Sequence, residues 1–136
     1  MTDYASYEKS GVSIDANDKM VGQIYASLES TFSPRVISAK NGFAGMFRLD
    51  YNAAFKKNYK NPVLVACTDG VGSKVQLAAM ARTYDSVGVD LVAMSVNDML
   101  VVGAEPLFFL DYLGVHKLEP AFIAQLVKGV AAGCKM

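Results

Sequence analysis

The chain has 136 residues, enough for one domain with a hydrophobic core. Its residues are 52% hydrophobic and 19% charged, a balance that excludes an intrinsically disordered chain. Lysine plus arginine and aspartate plus glutamate number 13 each, which excludes a global positive field that would attract nucleic acid or membrane. We therefore expect any anionic ligand to bind through a local arrangement of residues.

The two cysteines and the first residues of the chain indicate a soluble, cytoplasmic protein. Cys67 and Cys134 lie far apart in apolar surroundings, which favours buried free thiols over a disulfide. The opening segment 1-MTDYASYEKSG-11 has no apolar region of the signal-peptide type. The sequence also contains no stretch that is apolar and long enough to span a bilayer.

In chain order, the first predicted element is a helix over 19–30, which follows several N-cap candidates between positions 15 and 18. Strands are predicted over 43–49 and 62–67. The polar, lysine-rich stretch 53–61 joins them and is interpreted as a solvated hairpin loop.

The second half of the chain continues the alternation of helices and strands. Helices are predicted over 74–83 and 86–104, followed by a strand over 106–115 and a last helix over 119–136. Pro120 suits the first turn of that last helix, where a missing N–H has little effect. This order of elements predicts an α/β or α+β domain.

A glycine turn precedes the helix predicted over 74–83. In 68-TDGVGSK-74, Gly70 and Gly72 would let backbone N–H groups approach a ligand, and Lys74 would bring a positive charge to the same place. Asp69 could hold Mg²⁺ beside a polyphosphate. The spacing differs from that of a Walker A loop, and such a turn by itself is more often only a turn.

A polar stripe runs along the otherwise apolar helix predicted over 86–104. At 100° per residue, Asp90, Asn97 and Asp98 fall within an arc of about 100°. Buried carboxylates are costly unless they are paired or bound to a metal. The stripe and the glycine turn together favour a site for a magnesium–nucleotide complex, and the alternative is a stripe that faces water.

Three segments of the chain carry a family resemblance. They are 7-YEKSGVSIDA-16, 68-TDGVGSK-74 and 85-DSVGVDLVAMSVNDMLVVGAEPLFFLDYL-113. Together they closely resemble the phosphoribosylformylglycinamidine cyclo-ligases, also called AIR synthetases. The third segment is long and therefore the most specific, and the resemblance extends over essentially the whole chain.

The resemblance implies a fold and an assembly. Residues 1–136 would form an amino-terminal domain that binds ATP and dimerises, with a mixed sheet and helices packed on one side of it. Strands from both subunits of a homodimer would form a barrel, with the nucleotide near the interface.

The resemblance also implies a reaction in purine biosynthesis. Members of the family convert formylglycinamidine ribonucleotide into aminoimidazole ribonucleotide with ATP and Mg²⁺. Phosphorylation activates the formyl oxygen, an internal nitrogen attacks and closes the imidazole ring, and phosphate is released. The expected partners are therefore a second subunit and a small-molecule nucleotide, and neither nucleic acid nor membrane.

Carried over position by position, the resemblance assigns roles to single residues. Lys74 and Asp69 would be catalytic, with Lys74 as the phosphate contact, and Asp69 and Asp98 would bind the metal. The residues that would bind the nucleotide are Asp69, Gly70, Val71, Gly72, Ser73, Lys74, Asp90 and Asn97.

The chain also departs from the family pattern. Chains of this family are longer and continue into a second domain that is absent here, so we expect this chain to be inactive alone. The loop 38-SAKNGFAG-45 lacks glycines of the family, Ser13 stands where aspartate is usual, and Tyr84 stands where many relatives have histidine. The alternative function is a non-catalytic nucleotide-binding or dimerisation module.

Overall fold

The computed structural model describes residues 13–37 and 44–136. Within these residues the chain forms four helices and one small antiparallel sheet. The elements in chain order are α1 (Ile14–Glu29), β1 (Val36–Ile37), β2 (Met46–Phe47), α2 (Lys74–Ala81), α3 (Asp85–Val101) and α4 (Pro120–Cys134). Every predicted helix is confirmed, although its ends differ from the prediction.

Helix α1 begins earlier than predicted because its N-cap is Ser13. The Ser13 hydroxyl accepts a hydrogen bond from the backbone N–H of Ala16 at 3.3 Å, and the Ser13 backbone is extended, as an N-cap requires. The aspartates at positions 15 and 18, predicted as caps, lie inside the helix instead. Serine is therefore an effective N-cap for this helix.

Helices α3 and α4 contain most of the hydrophobic core. The buried apolar residues of the described chain are Ala78, Val87, Val92, Ile123, Val127, Val130 and Ala131. α4 packs against α3 on one side and α1 on the other. The Tyr84 ring lies on the Phe122 ring, with 4.0 Å between their centroids, so this departure from the family residue serves helix packing.

Two glycines allow the backbones of α3 and α4 to approach closely. A Cβ atom at Gly129 would overlap the backbone carbonyl of Asp85, and one at Gly88 would overlap the carbonyl of Leu126. A side chain at either position would therefore force the two helices apart. The close crossing fixes α3 relative to the core, and α3 contains several of the predicted site residues.

The sheet is smaller than the sequence predicts. Val36 pairs with Phe47 and Ile37 with Met46 in antiparallel register, so the strand predicted over 43–49 is confirmed only at 46–47. Residues 38–43, which make up most of the glycine-poor loop, lie outside the described residues.

The prediction of strands over 62–67 and 106–115 is wrong for the described part of a single chain. Both segments run without a helix, turn or bend, yet neither forms a hydrogen-bonded ladder within the described residues. Apolar composition selects residues that suit a sheet, but a strand also needs a neighbour, and that depends on distant parts of the molecule. The expected mixed sheet is therefore absent from the described part of one chain.

The stretch 53–61 is organised around a buried arginine. The Arg35 side chain donates hydrogen bonds to the carbonyls of Arg48 at 2.7 Å and Lys57 at 2.6 Å, and it lies 4.1 Å from the centre of the Phe55 ring. The prediction of a solvated hairpin loop is therefore wrong in part. The lysines are exposed, but the backbone between them is held by one guanidinium group.

Both cysteines are free, as predicted, but both are exposed, so the prediction that they are buried is wrong. The Cys67 thiol lies 3.5 Å from the backbone carbonyl of Ser95. Partial burial raises the pKa of the Cys134 thiol, and the nearby Asp111 carboxylate adds to this effect. Among the described residues, no helix is apolar and long enough to cross a membrane.

Candidate functional site

The glycine turn leads directly into α2. The N–H of Val75 donates to the carbonyl of Gly72 at 3.2 Å, which closes the turn just after the last glycine. Gly72 has a φ of +71°, a backbone conformation that disfavours a side chain. The sequence therefore needs glycine here to turn the chain sharply and start a helix with Lys74 as its first residue.

The backbone N–H groups of residues 71–74 are available to a bound anion. Within the described chain, none of these four N–H groups has a hydrogen-bond acceptor. A Cβ atom built on Gly70 or Gly72 would meet nothing within 4 Å, so the space beside the turn is open. Unpaired N–H groups at the start of a helix, together with the helix dipole, favour a negatively charged ligand.

Asp69 is held in place by the turn itself. Its Oδ1 atom accepts a hydrogen bond from the backbone N–H of Gly70 at 2.7 Å, while the residue remains exposed. The carboxylate is thus oriented at the entrance of the turn and accessible from solvent. Such a carboxylate oxygen is a suitable ligand for a hard cation such as Mg²⁺.

Lys74 and Asp90 form an ion pair between α2 and α3. Nζ of Lys74 lies 3.0 Å from Oδ2 of Asp90, and the two side chains are 56% and 40% exposed. The structure therefore joins the predicted polar stripe to the glycine turn at this point.

The other two residues of the stripe, Asn97 and Asp98, are exposed to solvent. They lie further along α3, on a face other than the one that buries Val92 and Ser95. Within a single chain, the water-facing interpretation therefore describes Asn97 and Asp98, whereas Asp90 is paired.

The side chains near the turn suit an Mg²⁺ ion that also binds phosphate oxygens better than a metal ion held by protein side chains alone. Among the described residues, no group of three or more His, Cys, Asp or Glu side chains is arranged to hold a metal ion. Mg²⁺ usually takes one or two carboxylates and completes its shell with water and substrate phosphates. Asp69 and Asp98, the predicted metal ligands, are both exposed.

A wide apolar cleft begins at the glycine turn. Residues 62–71 and 102–115 line it, together with Leu91 and Ser95 of α3. Its volume is about 1250 Å³, above the roughly 300–1,000 Å³ of a typical small-molecule pocket. The cleft is therefore better described as an open region lined by two segments that pair with no strand in the described chain than as a pocket fitted to one ligand.

A polar cluster formed by Lys57, Tyr59 and Glu105 lies at the cleft and was not predicted from the sequence. Lys57 forms an ion pair with Glu105, and the Tyr59 hydroxyl donates to the same carboxylate at 3.2 Å. The hydrogen bond from Lys57 lowers the pKa of Glu105, and the same contact raises the pKa of Lys57. Burial is the main cause that raises the pKa of Tyr59.

This cluster joins the stretch 53–61 to the start of the segment 102–115. The sequence signal for it was weak, since a lysine-rich loop and a single glutamate 48 residues from Lys57 do not reveal that they meet. Two residues of the cluster, Tyr59 and Glu105, line the cleft.

The fold and the turn together define an α+β domain with an open glycine turn at the start of a helix. The family model described as "AIR synthase related protein, N-terminal domain" matches residues 50–136. The chain therefore belongs to this family.

Curated relatives are similar over nearly the whole chain. A protein of Trichlorobacter lovleyi is 53% identical over 131 residues, which is 96% of this chain and 36% of the relative. Proteins of Geobacter sulfurreducens and Leptospira interrogans are 51% and 45% identical over 95% and 100% of the chain. All three are named phosphoribosylformylglycinamidine cyclo-ligase, and the chain spans 36–38% of their length.

Proposed function

We propose that the chain is the amino-terminal, ATP-binding and dimerising part of a cytoplasmic phosphoribosylformylglycinamidine cyclo-ligase. The reaction would be the ATP-dependent closure of formylglycinamidine ribonucleotide to aminoimidazole ribonucleotide in purine biosynthesis. The observation that carries this proposal is 45–53% identity, over nearly all of the chain, to proteins of that name. The open glycine turn with its unpaired N–H groups supports the nucleotide-binding part.

The residues of the turn have distinct proposed roles. The N–H groups of residues 71–74 would bind phosphate oxygens, and the Lys74 ammonium would stabilise negative charge that develops during phosphoryl transfer. Asp69 and Asp98 would hold Mg²⁺, with Asn97 as a further polar contact. Held by these carboxylates, Mg²⁺ would supply positive charge that offsets the negative charge of the phosphates.

A homodimer would supply strand partners for 62–71 and 102–115, which have none within the described residues. Val63, Leu110 and Tyr112 are 87%, 75% and 92% exposed, which is costly for apolar side chains in a single chain. Unpaired sheet-forming segments offer backbone donors and acceptors to a second chain. These features support a barrel built from strands of two subunits.

The first test is a calorimetric titration of Mg·ATP into the chain. We expect saturable binding that Asp69→Asn and Lys74→Ala each weaken by about tenfold or more, because each loses a contact to a charged group. Lys128→Ala, which removes an exposed lysine from α4, is the matched control and should bind as the wild type does. Absence of heat from a folded wild type would contradict the proposed site.

A second assay separates catalysis from binding alone. The chain is incubated with formylglycinamidine ribonucleotide and Mg·ATP, and the formation of aminoimidazole ribonucleotide and of ADP is followed. Binding of Mg·ATP without turnover would favour the non-catalytic module, or a catalytic site completed by further chain. Turnover would show that the catalytic machinery is contained in these residues.

A further inference from the structure

The ion pair between Lys74 and Asp90 connects the glycine turn to α3. Its two side chains are roughly half exposed and 3.0 Å apart, and pairs of this kind add little to folding stability. A contribution to folding stability therefore does not explain why the two residues form an ion pair. Its location at the first residue of α2, beside the unpaired N–H groups, suggests a different role.

The position of Lys74 is electrostatically unfavourable without a negative partner. The N-terminus of a helix carries a partial positive charge, so a cation in the first turn of α2 is repelled by it. Asp90 supplies the opposing charge from α3. An anionic ligand at the turn would meet a lysine that is already held in place.

Asp90 is well placed to hold that lysine because α3 is firmly packed. It lies two residues after Gly88, where the backbone of α3 contacts that of α4 without room for a side chain. A lysine side chain has several rotatable bonds and loses conformational freedom when it binds a ligand. Fixing the ammonium group beforehand reduces that loss.

The pair leaves Lys74 able to bind a second anion. An ammonium group has three donors, and Oδ2 of Asp90 is the one acceptor paired with it in the described chain. The lysine side chain is 56% exposed, so a phosphate can reach it from the solvent side. Binding of phosphate therefore does not require the ion pair to break.

We infer that Asp90 is a positioning residue of the nucleotide site, and that it acts through Lys74 without itself contacting the nucleotide or the metal. The inference rests on the proposed function for the identity of the ligand. It assigns Asp90 a role different from that of Asp69, whose carboxylate is exposed at the turn.

The test is a set of Mg·ATP titrations on the full chain. We expect Asp90→Asn to raise the Kd about three- to tenfold, and Asp90→Glu to restore it to within about twofold of the wild type. The double variant Lys74→Ala/Asp90→Asn should bind no more weakly than Lys74→Ala alone. Asp85→Asn, an exposed carboxylate in the first turn of the same helix, is the matched control and should leave the Kd unchanged.

A second measurement does not depend on the nucleotide. NMR relaxation of the lysine ammonium groups should show an ordered Lys74 in the wild type, and in Asp90→Asn a Lys74 as mobile as the exposed Lys128. A role limited to folding would not change this mobility selectively. An ammonium group that is mobile in the wild type would overturn the inference.

The titrations also distinguish this inference from the proposed function. Tighter binding by Asp90→Asn would show that Asp90 competes with phosphate, and additive losses in the double variant would show an independent contact. Either result overturns the positioning role while the nucleotide site stands. A wild type that does not bind Mg·ATP overturns the proposed function and, with it, the ligand assigned here.

Discussion

The guanidinium group of Arg35 holds together a segment that is otherwise rich in exposed lysines. Arg35 is buried, with 7% of its surface exposed, and bonds carbonyls from residues 13 and 22 positions away. One side chain therefore fixes the backbone that carries Lys57 and Tyr59 to the edge of the cleft.

Replacement of this arginine should destabilise the domain. Arg35→Met keeps much of the volume but removes the donors to the Arg48 and Lys57 carbonyls and the contact with Phe55. We expect the free energy of unfolding to fall by about 2–4 kcal/mol, measured by chemical denaturation. Arg48→Met is the control, because the Arg48–Asp50 pair is exposed and its loss should hardly change the midpoint.

The cluster at Glu105 should respond to pH in a defined direction. Because the folded-state pKa of Glu105 is lowered, its contribution is present above the ordinary glutamate pKa and is lost as pH falls through the folded-state value. The pKa of Lys57 is raised, so its contribution is present below the ordinary lysine pKa and is lost as pH rises through the folded-state value.

NMR titration of the Glu105 carboxyl carbon measures this effect directly. In Lys57→Met the midpoint should move up towards that of an ordinary glutamate, because the main cause of the lowered pKa is gone. An unchanged midpoint would show that the ion pair does not persist in solution.

At the scale of residues, local chemistry was predictable and long-range pairing was not. The glycine turn with Lys74 follows from the types and order of six residues, and the structure has a tight turn there. The contacts of Arg35 and Glu105 depend on residues 13 to 48 positions away, which no local pattern encodes. The Lys74–Asp90 distance likewise depends on how α2 and α3 pack.

The crossing of α3 and α4 is the element-scale feature with the sharpest steric requirement. Gly129→Ala should lower the free energy of unfolding by at least about 2 kcal/mol, because the added methyl group overlaps the Asp85 carbonyl. Thermal and chemical denaturation measure the change.

Gly22→Ala is the matched control for this prediction. Gly22 lies inside α1, and a Cβ atom there meets nothing within 4 Å. Alanine has the higher helix propensity, so this variant should be more stable by about 0.5–1 kcal/mol. Equal effects of the two substitutions would contradict the close crossing.

Helices were predictable from the sequence because their hydrogen bonds are local. The long apolar run of α3 and the periodic apolar positions of α4 predict both elements within a few residues of their ends. The strands at 62–67 and 106–115 were predicted from composition alone, and a ladder depends on a partner that composition cannot specify. The error therefore lies in the pairing, and the residue types remain those of sheet strands.

The segments 62–71 and 102–115, which form no ladder within the described residues, expose several large apolar side chains. If a second copy pairs with them, Leu64→Pro should convert a dimer to a monomer, because proline removes an N–H and restricts the backbone. Leu64→Ala keeps the N–H and is the control. Light scattering after size exclusion gives the mass, and a wild type with the mass of a single chain would contradict the homodimer.

The concentration of the core in α3 and α4 has a consequence for local opening of the native state. Amide hydrogens in these helices should exchange most slowly with solvent, because their release requires the core to separate. Amides of residues 63–69 have no such protection within the described part of a single chain and should exchange before the first time point in a dilute sample. Slower exchange there at higher protein concentration would trace, amide by amide, where one copy shields another.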